Sequence, residues 1–274
     1  MNRRERASPL VQTRASCFTQ TIVKERYEND GFMIVRHIFS GARLSELQAI
    51  AERYYQHSLT KGITGRHSMH DPAMEGQWEP ELFNCLNTPR ILQLSEELKE
   101  CKLRSTYYEF NSEVPGKENS MFWHQDKQFL SKSLPEGFDA ETFCQEVPFS
   151  QIQWNVALED DAALQVVPGS HRRELTEEER SILTGNRFNP SMPGSLCVEL
   201  KAGDGVVYHS NIIHGVYNPQ PKKRRTLHWY WVGRDQYDPY RPDYVPLPGS
   251  LMARLDPVIA EMHAQALHVS LPKG

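Results

Sequence analysis

Met121-Phe-Trp-His-Gln-Asp126 follows the turn-prone Pro115-Gly-Lys117 and precedes a long, acidic interval that ends near Gln151. Aromatic residues just after a turn favour an extended strand. Residues two apart on a strand point to the same side, so His124 and Asp126 can reach one point while Gln125 turns away. An imidazole and a carboxylate aimed together are ligand types for a divalent metal. Alone the pair carries little weight, because His-x-Asp also arises by chance on a solvated surface in a chain with 11 histidines.

A second segment supplies what the first lacks. Lys201-Ala-Gly-Asp-Gly-Val-Val-Tyr-His-Ser-Asn-Ile-Ile-His214-Gly215 reads as a glycine turn, a short apolar strand and a histidine whose following glycine permits close backbone approach. His209, five residues earlier, is the competing ligand. The strand-end position before glycine favours His214, with His209 packed nearby. Two imidazoles and one carboxylate form the set that holds Fe(II) while leaving positions open for a chelating co-substrate and dioxygen. Lys222-Lys-Arg-Arg225 then enters Thr226-Leu-His-Trp-Tyr-Trp-Val232, the most strand-like run in the chain. Alternation puts Arg225 with Leu227, Trp229 and Trp231, and Arg224 with Thr226, His228 and Tyr230. If the apolar face is the interior, Arg225 points inward and needs an anion, which a dicarboxylic co-substrate would supply.

These segments, with Leu164-Gln-Val-Val-Pro-Gly-Ser-His171-Arg-Arg and the opening Tyr27-Glu-Asn-Asp-Gly-Phe-Met-Ile-Val-Arg36, resemble the phytanoyl-CoA dioxygenase family in content and order over about residues 25–235. The resemblance implies His124, Asp126 and His214 as iron ligands, Arg225 as the anchor of the distal carboxylate of 2-oxoglutarate, and Asn155 as a further co-substrate contact. It implies an Fe(II)/2-oxoglutarate-dependent dioxygenase that oxidises, most simply hydroxylates, an unactivated C–H of a small organic molecule, releasing succinate and carbon dioxide. Two departures stand out. Many relatives carry Asn-Gly where this chain has Asp160-Asp-Ala-Ala163, and the interval from Asp126 to Gln151 reads as a substrate-facing insertion. Similar halogenases place a small residue at the carboxylate position, so Asp126 favours oxygenation over halogenation.

The whole chain fits that reading. Its 274 residues suit one mainly β domain with N-terminal helices, a double-stranded β-helix of the jelly-roll or cupin type, spanning residues 21–274 after a basic tail at 1–20. Arg3, Arg4, Arg6 and Arg14 lie in that tail without an apolar stretch, which argues against a secretory signal. Net charge is −4 and mean hydropathy −0.61, with no apolar run near membrane-spanning length. Neither nucleic acid nor membrane is therefore an expected partner, and the one expected is a small-molecule substrate. Five scattered cysteines without a Cys-x-x-Cys pair match a reducing cytoplasm. Oligomeric state is left open.

Strands are expected at about 104–111, 120–126, 151–158, 164–167, 195–199, 205–209 and 225–232, with a further edge strand beginning at Ile34. Helices are expected over Ala42–Tyr55 and from Thr88-Pro89 to about Cys101. Gln151, Gln153 and Asn155 share one strand face, the expected polar wall of a cavity. Stretches near 61–80, 127–150 and 233–250 read as lid loops, Arg173 as a rim cation, and His67 and His70 as polar loop residues. Two other functions use the same residues: a jelly-roll metalloenzyme without 2-oxoglutarate, and a non-catalytic small-molecule-binding module.

Overall fold

A computed structural model of the chain describes residues 24–132, 151–219, 222–236, 238 and 246–265. Its strands are β1 (Phe32–Val35), β2 (Arg66–Ser68), β3 (Leu103–Ser112), β4 (Met121–His124), β5 (Ile152–Ala157), β6 (Leu164–Val167), β7 (Leu196–Cys197), β8 (Gly205–His209), β9 (Ile213–Val216) and β10 (Arg225–Gly233). They form a six-stranded sheet, β1-β8-β5-β10-β3-β2, and a four-stranded sheet, β4-β9-β6-β7. Every pairing is antiparallel. The result is the expected jelly roll.

The outer layer explains which strand face is apolar. Helix α1 (Gly41–Thr60) buries Leu47, Ala51 and Tyr54 in one cluster with Leu227, Trp229 and Trp231 of β10. Trp154 of β5 stacks on Trp229 with ring centroids 5.7 Å apart. The aromatic face of β10 therefore packs beneath the helices, and Thr226, His228 and Tyr230 turn into the barrel. The second expected helix begins at Thr88-Pro89, but its first turn, Pro89–Gln93, is wound as a π-helix before α2 (Leu94–Lys99).

Differences from expectation fall at short elements. The stretch 61–80 contains β2 and buries Met69 and Met74, so much of it is packed core. His67 stacks on Tyr54 in that layer at 5.7 Å. Of the other two proposed lids, 133–150 and most of 237–245 lie outside the described residues, as does the basic tail. Arg173 is tied to Glu179, which closes a capping box at the start of the helix Glu177–Leu183. Among the described residues no helix is long and apolar enough to cross a membrane.

Gly203 sets the turn into β8. Its φ is +89°, and a Cβ there would sit 2.1 Å from the carbonyl oxygen of Phe39. Gly203→Ala should cost at least about 2 kcal/mol of stability, read as a lowered urea midpoint with unchanged slope.

Candidate active site

β4 and β9 pair so that His124 lies directly opposite His214. Between Met121 and His124 the register slips, because three steps along β4 match two along β9. Such a bulge re-aims the residue that follows it, and both Met121 and His124 line the barrel cavity. Gly215 allows the strands to close: a Cβ there would lie 3.2 Å from the Met121 carbonyl and 3.4 Å from the Trp123 ring. The two imidazoles meet with centroids 4.1 Å apart.

Both rings are locked in the same tautomer. His124 Nδ1 donates to the Phe122 carbonyl and His214 Nδ1 to the Ile212 carbonyl, each at 2.9 Å. A carbonyl oxygen only accepts, so Nδ1 carries the proton and each Nε2 presents its lone pair to the cavity. Burial pushes the His124 pKa down to about 3, with His214 adding to the effect and Asp126 opposing it. Burial likewise holds His214 down to about 4. Both rings are neutral near pH 7, the state that binds a metal.

Asp126 arrives by a different route from the one its spacing suggests. β4 ends at His124, and Asp126 opens a 3-10 helix, Asp126–Lys132. Its backbone N–H donates to the Ser210 carbonyl at 3.1 Å, while the Gln125 amide donates to the Asn211 carbonyl at 2.6 Å. These bonds pin the peptide to the β8–β9 connection. Asp126 Oδ1 consequently lies 3.6 Å from His124 Nε2 and 3.7 Å from His214 Nε2. Among the described residues, these three are the one group of His, Cys, Asp and Glu able to hold a metal ion, with ligand atoms within 4.8 Å of one another. Two imidazole nitrogens and a carboxylate in a buried pocket fit ferrous iron. His209 is outside this group; its Nδ1 accepts the Asn211 backbone N–H, and it stacks near His171.

The surrounding wall is polar. Gln153 donates to Asp126 Oδ2 and also to Gln151 Oε1 at 3.3 Å. Gln153 is thus the residue that orients the carboxylate, a role its place on a polar strand face hinted at without specifying. Asn155, Tyr208 and His228 line the same cavity. His228 is fixed by the Trp154 carbonyl at 2.7 Å, and the Tyr208 ring meets His214 edge-on at 5.4 Å. Arg66 of β2 reaches in to grip both oxygens of the buried Glu109 at 2.6 Å.

Arg225 does not face the cavity. It shares the aromatic side of β10 and lies beneath α1, with its guanidinium carbon 3.6 Å above the Tyr55 ring centre. It pairs with Glu113 at 2.5 Å and Glu52 at 2.9 Å. Expecting the apolar face inside put the wrong arginine inward, because in this barrel the apolar face is covered by helices. Arg224 holds the inward position, 5% exposed and among the lining residues. Its Nε donates to Asp161 at 3.0 Å, and Thr226 donates to the same carboxylate oxygen at 2.8 Å.

This fold and ligand set define a jelly-roll, mononuclear iron enzyme. The phytanoyl-CoA dioxygenase (PhyH) family model matches residues 27–226, and the chain belongs to that family. It is accordingly a non-haem iron dioxygenase that uses 2-oxoglutarate and dioxygen. Among solved structures it is similar to iron-bound EctD from S. alaskensis, at 17% identity and TM-score 0.60 over 80% of this chain and 79% of that one. It is similar also to SnoN, a non-haem α-ketoglutarate-dependent epimerase from nogalamycin biosynthesis, at 20% identity and TM-score 0.57 over 85% and 91%. The carbocyclase SnoK, from the same biosynthesis, matches at 19% identity and TM-score 0.58 over 85% and 90%. Comparison with curated protein sequences gave no match.

Removing the bond that orients Asp126 should loosen the metal without unfolding the protein. Gln153→Leu is expected to weaken Fe(II) binding by about 10–100-fold, measured by anaerobic metal titration alongside an unchanged circular dichroism spectrum.

Proposed function

We propose that this dioxygenase hydroxylates an unactivated C–H bond of a small polar organic molecule, with His124, Asp126 and His214 as its iron ligands. The observation that carries this reading is the convergence of two proton-locked imidazoles and one carboxylate at a cavity that also contains an inward arginine. With iron and 2-oxoglutarate bound, such a centre couples decarboxylation of the co-substrate to succinate with oxidation of the substrate C–H.

Arg224 is assigned the distal carboxylate of 2-oxoglutarate. Asp161 occupies its Nε, which leaves the terminal nitrogens for a charge-assisted pair. Thr226 flanks it and Asn155 is placed as a second co-substrate contact. Arg225 acts behind it: its Nη1 donates to the Arg224 carbonyl at 2.6 Å, while Glu113 accepts the Arg224 backbone N–H at 2.9 Å. Hydroxylation is supported by EctD, whose structure holds 2-oxoglutarate and 5-hydroxyectoine. Epimerase and carbocyclase relatives of the same fold make the outcome a matter of how the substrate lies against the centre. The polar walls built by Arg66, Glu109 and Tyr230 favour a substrate with hydrogen-bonding groups.

Succinate release tests these assignments. His124→Ala and Asp126→Ala should abolish it while the fold persists, and full activity in either would remove that residue from the ligand set. Arg224→Ala should raise the KM for 2-oxoglutarate by roughly 10–100-fold, the loss of one hydrogen-bonded charge pair. Arg225→Ala should chiefly lower the melting temperature, leaving Glu113 without its cation and Glu52 with Lys223 alone; the reverse pattern would restore Arg225 as the anchor.

A further inference from the structure

Strand β8 separates two cavities. Tyr208 lines the iron cavity, whereas the next residue, His209, joins Tyr27, Lys99, His171 and Arg172 around a second cavity of about 430 Å³ that shares no lining residue with the first. We propose that this second cavity binds a small oxyanion, a carboxylate or a phosphate, through Lys99 and His209.

The cavity sets Lys99, Arg172 and His209 beside the carboxylates of Glu25 and Glu28 at its rim. His209 Nδ1 accepts the Asn211 backbone N–H at 3.0 Å, so its proton sits on Nε2, for which no acceptor is found among the described residues. Lys99 is half-buried and has no carboxylate within ion-pair distance among the described residues. Burial draws its pKa down to about 8, with Cys101 and Glu28 pulling the other way, as expected of an ammonium short of a counter-charge. The two nearby carboxylates do not fill this need. Glu28 lies 3.8 Å from Lys24, and Glu25 is exposed.

The walls are fixed by their own bonds. His171 Nε2 donates to the Glu28 carbonyl at 3.1 Å, and Arg172 donates to the same oxygen at 3.2 Å. Gly31, at φ +77°, makes room for His171, since a Cβ there would come within 2.4 Å of Nδ1. An ammonium and an imidazole N–H beside one space complement an oxyanion, which accepts at every oxygen. The cavity also backs onto the iron centre, because Ser210, next to His209, accepts the Asp126 backbone N–H.

Isothermal titration of the protein loaded anaerobically with Fe(II) and one equivalent of 2-oxoglutarate, which the iron centre takes up and which leaves no free carboxylate in excess, tests this site. Sodium acetate and sodium phosphate are the titrants, against sodium chloride at equal ionic strength. Saturable binding of either is expected, and which one binds identifies the oxyanion. Lys99→Met should weaken it by about tenfold or more, while Arg224→Ala should leave it unchanged. Absence of saturable binding by both anions, an isotherm unaltered in Lys99→Met, or loss of binding in Arg224→Ala would overturn the proposal.

Discussion

His124 and His214 stand opposite one another on neighbouring strands with their rings 4.1 Å apart, and each has its Nδ1–H committed to a backbone carbonyl. Two lone pairs and a carboxylate held by Gln153 then converge in a buried site. Burying such a set is unfavourable without a cation. The cost is met by design elsewhere: the bulge in β4, the missing side chain at Gly215 and the bond from Asp126 to Ser210 each restrict the backbone so that the donors cannot turn away. Two strands and a 3-10 turn thus preorganise a group able to hold a metal ion.

Strand β10 is the second organising element. One face carries Leu227, Trp229 and Trp231 into the helical layer, and the other carries His228 and Tyr230 into the barrel, with Arg224 lining the same cavity just before the strand. Stability and chemistry thus run along opposite sides of one strand, only 180° apart in the pleat. The adjacent arginines divide the same way. Arg225 holds Glu52, Glu113 and the Tyr55 ring together beneath α1, and through its bond to the Arg224 carbonyl it steadies the residue that faces the cavity.

Much of the fold was legible because turns and alternating strands leave strong local signals; β3, β5, β8 and β10 lie close to where composition puts them. β2 was not, since three residues, Arg66-His-Ser68, carry no alternation to detect, and their strand exists only by pairing with β3. His124, Asp126 and His214 were visible through their spacing and chemistry, although Asp126 reaches the site from a 3-10 turn. Choosing between Arg224 and Arg225 required knowing whether helices cover the apolar face, a tertiary fact absent from the pattern. Gln153 was seen as part of a polar face but not as the partner of Asp126, because that bond joins a strand residue to a 3-10 turn 27 positions earlier. The second cavity was invisible, being assembled from side chains at positions 27, 99, 171 and 209.

Family membership settles the cofactors, whereas the substrate must be read from the walls that face it. Those walls are charged and aromatic rather than uniformly apolar, with Arg66 held by Glu109 on one side and Tyr208 and His228 stacked on the other. The most direct test of the central claim is an anaerobic titration of the purified protein with Fe(II) followed by 2-oxoglutarate, monitored by visible absorption. A weak metal-to-ligand charge-transfer band that saturates at one equivalent of iron, and that is absent in Asp126→Ala, is expected if the three residues hold iron and the co-substrate chelates it. A folded, iron-loaded protein that develops no such band, or a band undiminished in Asp126→Ala, would contradict it.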